Sequence, residues 1–94
     1  GAGRLVLDSA RPNPSHAATA FRFALPRAGH VRLALWDVAG RRTRTLVDGP
    51  LAAGVHDVSW DGRDERGAQA PAGLYWVRIE SGGEAATRRL VRMP

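Results

Sequence analysis

Hydrophobic and polar residues alternate along this chain in short runs, and no stretch sustains a helical period. The runs predict strands at RLVL (4–7), TAFRFAL (19–25), HVRLALWD (30–37), RRTRTLV (41–47), GVHDVSW (54–60), GLYWVRIE (73–80) and ATRRLVRM (86–93). Glycine and proline punctuate them: Pro12 and Pro14, Pro26 with Gly29, Gly40, Gly49 with Pro50, Pro71 with Gly73, and Gly82–Gly83. Short strands separated by turn residues at this spacing predict an all-β fold, an antiparallel β-sandwich of about seven strands.

The same alternation sorts side chains by face, because successive strand residues point to opposite sides of a sheet. Phe21, Phe23 and Leu25 share one face with Arg22 opposite, and Val31, Leu33 and Leu35 share one with Arg32 and Trp36 opposite. Val58 sides with Trp60, and Tyr75 with Val77 and Ile79. Each large apolar side chain buried this way stabilises by about 1.5–3 kcal/mol, so the set suffices for a core. The last strand is ambiguous, since Leu90 and Val91 are neighbours and face opposite ways, which suits an edge strand.

Composition narrows the picture. Ninety-four residues, 44% hydrophobic and 24% charged, describe one ordered domain over 1–94 with its core at about 5–93. No run is long and apolar enough to span a bilayer, so membrane insertion is not expected. The start, GAGRLVLDSA, lacks the basic and apolar regions of a signal peptide; Gly1-Ala2-Gly3 reads as a linker or a cloning remnant. Cysteine is absent, which removes disulfides and thiol chemistry. The net charge of +5 comes from arginine without any lysine, and these arginines are spread along the chain rather than massed on one segment. Nucleic acid is therefore not an expected partner.

Three candidate chemistries remain. Asp61, Asp64 and Glu65 crowd one loop, but their spacing does not fit a calcium loop, because a bidentate Glu is needed at the twelfth position and Ala72 stands there. Asp61-Gly62 and Arg66-Gly67 are turn dipeptides, so the acids are expected to bond to local N–H groups. His16, His30 and His56 show no metal-ligand spacing, and no serine sits in a nucleophile elbow. No catalytic residue, cofactor or metal is expected, and the chain is read as no enzyme. Trp36 and Trp76, which point away from the core with Arg32 and Arg78 on the same faces, form the third candidate. If their strands are neighbours, they make an aromatic–arginine patch; the plainer alternative is a cross-strand pair covered by arginine stems.

The order RPNP (11–14), GHVRLALWDVAGR (29–41), LAAGVHDVSWDGRDERG (51–67), PAGLYWVRIE (71–80) and TRRLVRM (87–93) resembles the immunoglobulin-like (Ig-like) C-terminal modules of exported bacterial proteins. Two related families share it, the Ig-like domain of flagellar hook-capping proteins and the C-terminal sorting domains of type IX secretion. The resemblance implies structural roles for Asn13-Pro14 opening the module, for the Asp37/Gly40/Arg41 turn, for Trp60-Asp61-Gly62 and for Gly73 with Tyr75. It also implies a recognition role for the basic last strand, with Arg88, Arg89 and Arg92 beside Trp36 and Trp76 as candidate recognition residues. The sorting domains often carry lysine where Arg88 or Arg89 stands here. The implied function is a non-catalytic sorting or attachment domain of a larger secreted or cell-surface protein. Its partners would be the secretion machinery or neighbouring protein subunits, with self-association open. The alternatives are an assembly module of an extracellular filament or hook-cap-like structure, and a carbohydrate-binding module.

Overall fold

The computed structural model describes residues 3–94; Gly1 and Ala2, the start of the predicted linker, lie outside the described residues. The strands are β1 (Val6–Leu7), β2 (Thr19–Leu25), β3 (Gly29–Asp37), β4 (Arg42–Leu51), β5 (Gly54–Trp60), β6 (Gly73–Ser81) and β7 (Glu84–Arg92). They form two antiparallel sheets, ordered β1-β2-β5 and β4-β3-β6-β7. The chain changes sheet at the β2–β3, β4–β5 and β5–β6 connections.

Alternation places the core between these sheets. Phe21, Phe23 and Leu25 of β2, Val31, Leu33 and Leu35 of β3, and Tyr75, Val77 and Ile79 of β6 are all buried, as their parity predicts. Trp60 ends β5 with no exposed surface, and Tyr75 meets it edge-on at 5.8 Å between ring centroids. Leu90 is buried and Val91 exposed, which resolves the ambiguous last strand.

The strand limits differ from expectation in three places. β1 shrinks to Val6–Leu7, where it pairs with β2 through Val6↔Ala24 and Leu7↔Phe23. β7 begins earlier, at Glu84, because Gly82 and Gly83 both have positive φ and close a two-residue hairpin from Ser81 to Glu84. β4 continues through Gly49 and Pro50 to Leu51, where a break was expected. Pro50 is tolerated there because β4 is an edge strand, and a proline on an edge leaves no partner strand without a donor.

β4 also carries two irregularities. Its register against β3 shifts between Leu33 and Ala34 and again between Leu35 and Trp36. Leu46 and Thr43 are the extra residues, as expected of bulges on an edge. The two shifts place Arg42, rather than Arg44, opposite Trp36, and turn Arg44 to pair with core-facing Leu35.

Candidate functional site: an aromatic–arginine row and the loops that frame it

Three loops define the end of the sandwich where the motif residues gather. The first joins β3 to β4. The Asp37 carboxylate accepts hydrogen bonds from Ala39 N–H, Arg41 N–H and Arg41 Nε at 2.9, 2.9 and 3.1 Å, and Gly40 adopts φ 81° to close the turn. The Arg41 backbone N–H is the main reason the Asp37 carboxyl lies below the ordinary carboxylate range.

The second loop is the acidic one, residues 61–70. Asp61 accepts from Arg63 N–H at 3.0 Å and from Arg44 at 3.2 Å, and its carboxyl is lowered chiefly by the Arg63 N–H. Asp64 accepts from Arg66 N–H and Ala68 N–H at 2.9 and 3.0 Å. Glu65 reaches sideways to β4: its N–H donates to Thr43 O at 3.1 Å, and its carboxylate accepts from Thr45 N–H at 2.6 Å. The carboxylates thus organise turns, and Glu65 covers the bulged edge of β4. A cleft of about 570 Å³ opens beside this loop, lined in part by Asp37, Arg42, Glu65, Pro71 and Tyr75. The Tyr75 hydroxyl donates to Pro71 O at 2.6 Å, which ties the start of β6 to its preceding loop, and burial raises the phenol's pKa.

The third loop, residues 11–17, lies along β7. Asn13 treats that strand as a neighbouring backbone would. Its side-chain amide donates to Arg89 O at 3.1 Å, and its carbonyl oxygen accepts from Val91 N–H at 3.0 Å. Ser15 continues the pairing, donating from its N–H to Val91 O at 2.8 Å and accepting from Met93 N–H at 2.7 Å. Pro14 stands between the two. β7 is an edge strand, as expected, and its outer edge is occupied from Arg89 to Met93 by the chain's own residues 13–15.

The three arginines of β7 separate by parity. Arg92 was expected at an exposed recognition surface, but it is buried, with 4% of its surface exposed. Its guanidinium lies 4.9 Å from the Trp60 ring centroid. It donates to Ala17 O at 3.1 Å, Ala70 O at 3.3 Å and Gln69 Oε1 at 3.5 Å. It thus joins the second and third loops of this end to β7, a role that sequence reasoning missed although Leu90, two residues earlier, faces the same way. Gly62 makes room for it. At φ 83° a Cβ there would meet the two terminal guanidinium nitrogens at 2.8 and 2.9 Å. Arg88 shares the inward parity and donates to Leu7 O at 2.8 Å, so it ties β7 to β1. Arg89 alone of the three faces outward.

On the outer face of the four-stranded sheet the register builds one straight row. Arg42 pairs with Trp36, Trp36 with Trp76, and Trp76 with Arg89. The sequence placed both tryptophans on this face with Arg32 and Arg78, and Arg78 lines the groove beside the indoles, but the row also contains Arg42 and Arg89. Arg42 could not be found without the two bulges. Trp36 is half-buried and Trp76 is 38% exposed, with exposed Val38 and Val91 beside them. Among the described residues, neither indole is stacked by another ring or by a guanidinium. The basic side chains of this face divide into two groups. Arg32 and His30 share Asp48, and Arg78 pairs with Glu80 at 3.4 Å. Arg42 and Arg89 have no carboxylate within 4.0 Å among the described residues.

These features define an Ig-like module whose distinctive surface chemistry lies on an open sheet face. The FlgD Ig-like domain family matches residues 9–84, and the chain belongs to that family. It is 42% identical over 52 residues to the basal-body rod modification protein FlgD of Salmonella typhimurium, covering 55% of this chain and 22% of that protein. Escherichia coli FlgD is 41% identical over 54 residues, 57% of this chain and 23% of its own length. The chain thus spans less than a quarter of these relatives. Among solved structures, dimeric latent PorU from Porphyromonas gingivalis matches 99% of this chain and 10% of its own, with TM-score 0.71 and 19% identity. FlgD from Xanthomonas campestris matches 95% of this chain and 67% of its own, with TM-score 0.63 and 24% identity. These two establish the fold.

Proposed function

We propose that this chain is an exported, non-catalytic module, folded as a single unit, through which a larger bacterial protein is held in an extracellular or cell-surface assembly. The observation that carries this reading is its membership of the FlgD Ig-like family over residues 9–84, and the aromatic–cationic sheet face supports it. The X. campestris FlgD structure is described in terms of the hook capping essential for flagellar assembly. A module of that kind acts by contact with neighbouring subunits.

A second reading, a C-terminal sorting or attachment domain recognised by a secretion machinery, is supported by the order of the Asn13-Pro14, Asp37/Gly40/Arg41 and Gly73/Tyr75 motifs and by the basic β7. Deleting residues 9–92 from the parent protein and fractionating the cells tests both. An assembly module predicts parent protein released to the medium without incorporation. A sorting domain predicts retention within the cell envelope. Normal delivery and incorporation of the deleted protein would overturn both readings.

A further inference from the structure

We propose that the Arg42–Trp36–Trp76–Arg89 row is a docking site for an extended acidic–aromatic–acidic segment of a neighbouring protein subunit. This inference rests on the reading of the chain as an assembly module and names what its partner must carry.

The spacing sets the length. Neighbouring strands lie about 4.7–4.9 Å apart, so the two arginine positions are about 14 Å apart across the sheet. An extended peptide advances about 3.3 Å per residue and repeats its facing every second residue. Residues i and i+4 then lie about 13 Å apart on one face, with i+2 midway. A carboxylate at i and i+4 meets Arg42 and Arg89, and an aromatic side chain at i+2 lies over the Trp36–Trp76 pair.

The charges set the sign. Arg32, His30 and Arg78 already have acidic neighbours on this face, whereas the arginines bracketing the indoles have none among the described residues. A planar guanidinium with no carboxylate is suited to bidentate pairing with one supplied by a partner. Trp and Arg are also the side chains most enriched where truncation weakens protein interfaces.

The surroundings favour protein over sugar. A shallow groove of about 310 Å³ beside the indoles is lined by Trp36, Asp37, Val38, Gly40, Trp76, Arg78 and Thr87. Sugar recognition needs polar groups placed to fix hydroxyls as well as a stacking ring. Here the one carboxylate among the lining residues, that of Asp37, is engaged by Ala39 and Arg41. Beyond these engaged groups the groove is bordered by the indoles and Val38, and the row ends on either side at Arg42 and Arg89, which have no carboxylate within 4.0 Å among the described residues.

The test uses the three indole N–H resonances of the 94-residue chain as reporters. The probe is an acetylated peptide with the core Glu-Ser-Phe-Ser-Glu; its partners are the Gln-Ser-Phe-Ser-Gln version and soluble alginate. The acidic peptide is expected to shift the Trp36 and Trp76 resonances saturably and to leave Trp60 in place. The Gln version, and the Arg42→Glu/Arg89→Glu double variant with the acidic peptide, should bind at least about tenfold more weakly. An unchanged Trp60 resonance in the double variant reports that it is folded; if it moves, Arg42→Gln/Arg89→Gln replaces it. Equal binding of the Glu and Gln peptides, saturation by alginate without peptide binding, or absence of any Trp36 and Trp76 shift each overturns the proposal. Failure here combined with lost assembly on deletion in the parent would refute this docking site and leave the assembly reading standing.

Discussion

Gly62→Ala combined with Arg92→Met measures whether Arg92 holds this end of the molecule together. Gly62 has φ 83°, where an L-residue is disfavoured by about 1–2 kcal/mol whatever surrounds it. That part of the cost is the same with or without Arg92. The second part depends on Arg92, because the new Cβ would stand 2.8–2.9 Å from its guanidinium nitrogens. An exposed arginine would swing aside at little cost. This one is buried against Trp60 and donates to Ala17, Ala70 and Gln69, so moving it breaks hydrogen bonds from a charged donor, worth about 1.5–3 kcal/mol.

Gly62→Ala should therefore destabilise the native chain by about 2.5–5 kcal/mol, and the Arg92→Met chain by only about 1–2 kcal/mol. The difference is the coupling energy of a double-mutant cycle. Urea unfolding of the four proteins gives it directly, and a shift of about 4–8 °C in Tm per kcal/mol makes it visible by heat as well. Equal costs in the two backgrounds would refute the reasoning, because Arg92 would then be free to move. Arg92→Met by itself should destabilise, as the buried Ala70 carbonyl loses its charged donor.

Three further outcomes are expected. Trp60→Ala should cost about 3–5 kcal/mol in urea unfolding, the range for buried aromatics, whereas Trp76→Ala should stay within about 0.5 kcal/mol; iodide should quench Trp76 before Trp60. Asn13→Ala should cost about 1 kcal/mol and speed hydrogen exchange at Val91 N–H in particular, since that amide loses its acceptor. Asp37, Asp57 and Asp61 are held below the ordinary carboxylate value, by Arg41 N–H, the Arg22 side chain and Arg63 N–H respectively. Their contribution is complete above an unfolded-chain value of about 4 and is lost as pH falls through the lowered folded values, so Tm should drop on acidification below about pH 4. Tyr75, raised by burial, acts at the other end: stability should decline as pH rises beyond about 10. A Tm that is flat across both limits would count against these assignments.

The inward faces of β2, β3 and β6 were legible because a strand buried on one side must alternate, and a slip by one residue would turn Phe21, Phe23 and Leu25 to solvent. The turns were legible where side chains act on their own neighbours, as Asp61 and Asp64 do. Contacts between distant segments were not. Nothing in the alternation reveals that Glu65 reaches Thr45 or that Asn13 reaches Val91, because a turn residue satisfied locally and one satisfied across the fold look alike in sequence. Arg92 is a different case. Parity with Leu90 pointed it inward, and its charge argued for solvent; a carbonyl cage and an indole face decide for burial. The position of Arg42 depends on where two bulges fall, which the sequence RRTRTLV does not mark.

The way the edges are closed bears on where recognition occurs. An edge strand that presents free N–H and C=O groups accepts any extended chain, so selective recognition requires that the edges be covered. Here Glu65 bonds to Thr43 and Thr45 on β4, and Asn13 and Ser15 bond to the last residues of β7. Both edges of the larger sheet are thus partly occupied by the chain itself. The same residues fix β4 and β7 in place, and those strands carry Arg42 and Arg89. Loss of the Asn13 clasp should therefore act on recognition through position: Asn13→Ala should weaken binding at the Arg42–Trp36–Trp76–Arg89 row by less than Arg89→Glu does, while raising hydrogen exchange along β7. Chemical-shift titration with the acidic peptide separates the two effects. If Asn13→Ala strengthened binding through new shifts along β7 rather than at the indoles, the uncovered strand edge would be the recognition surface.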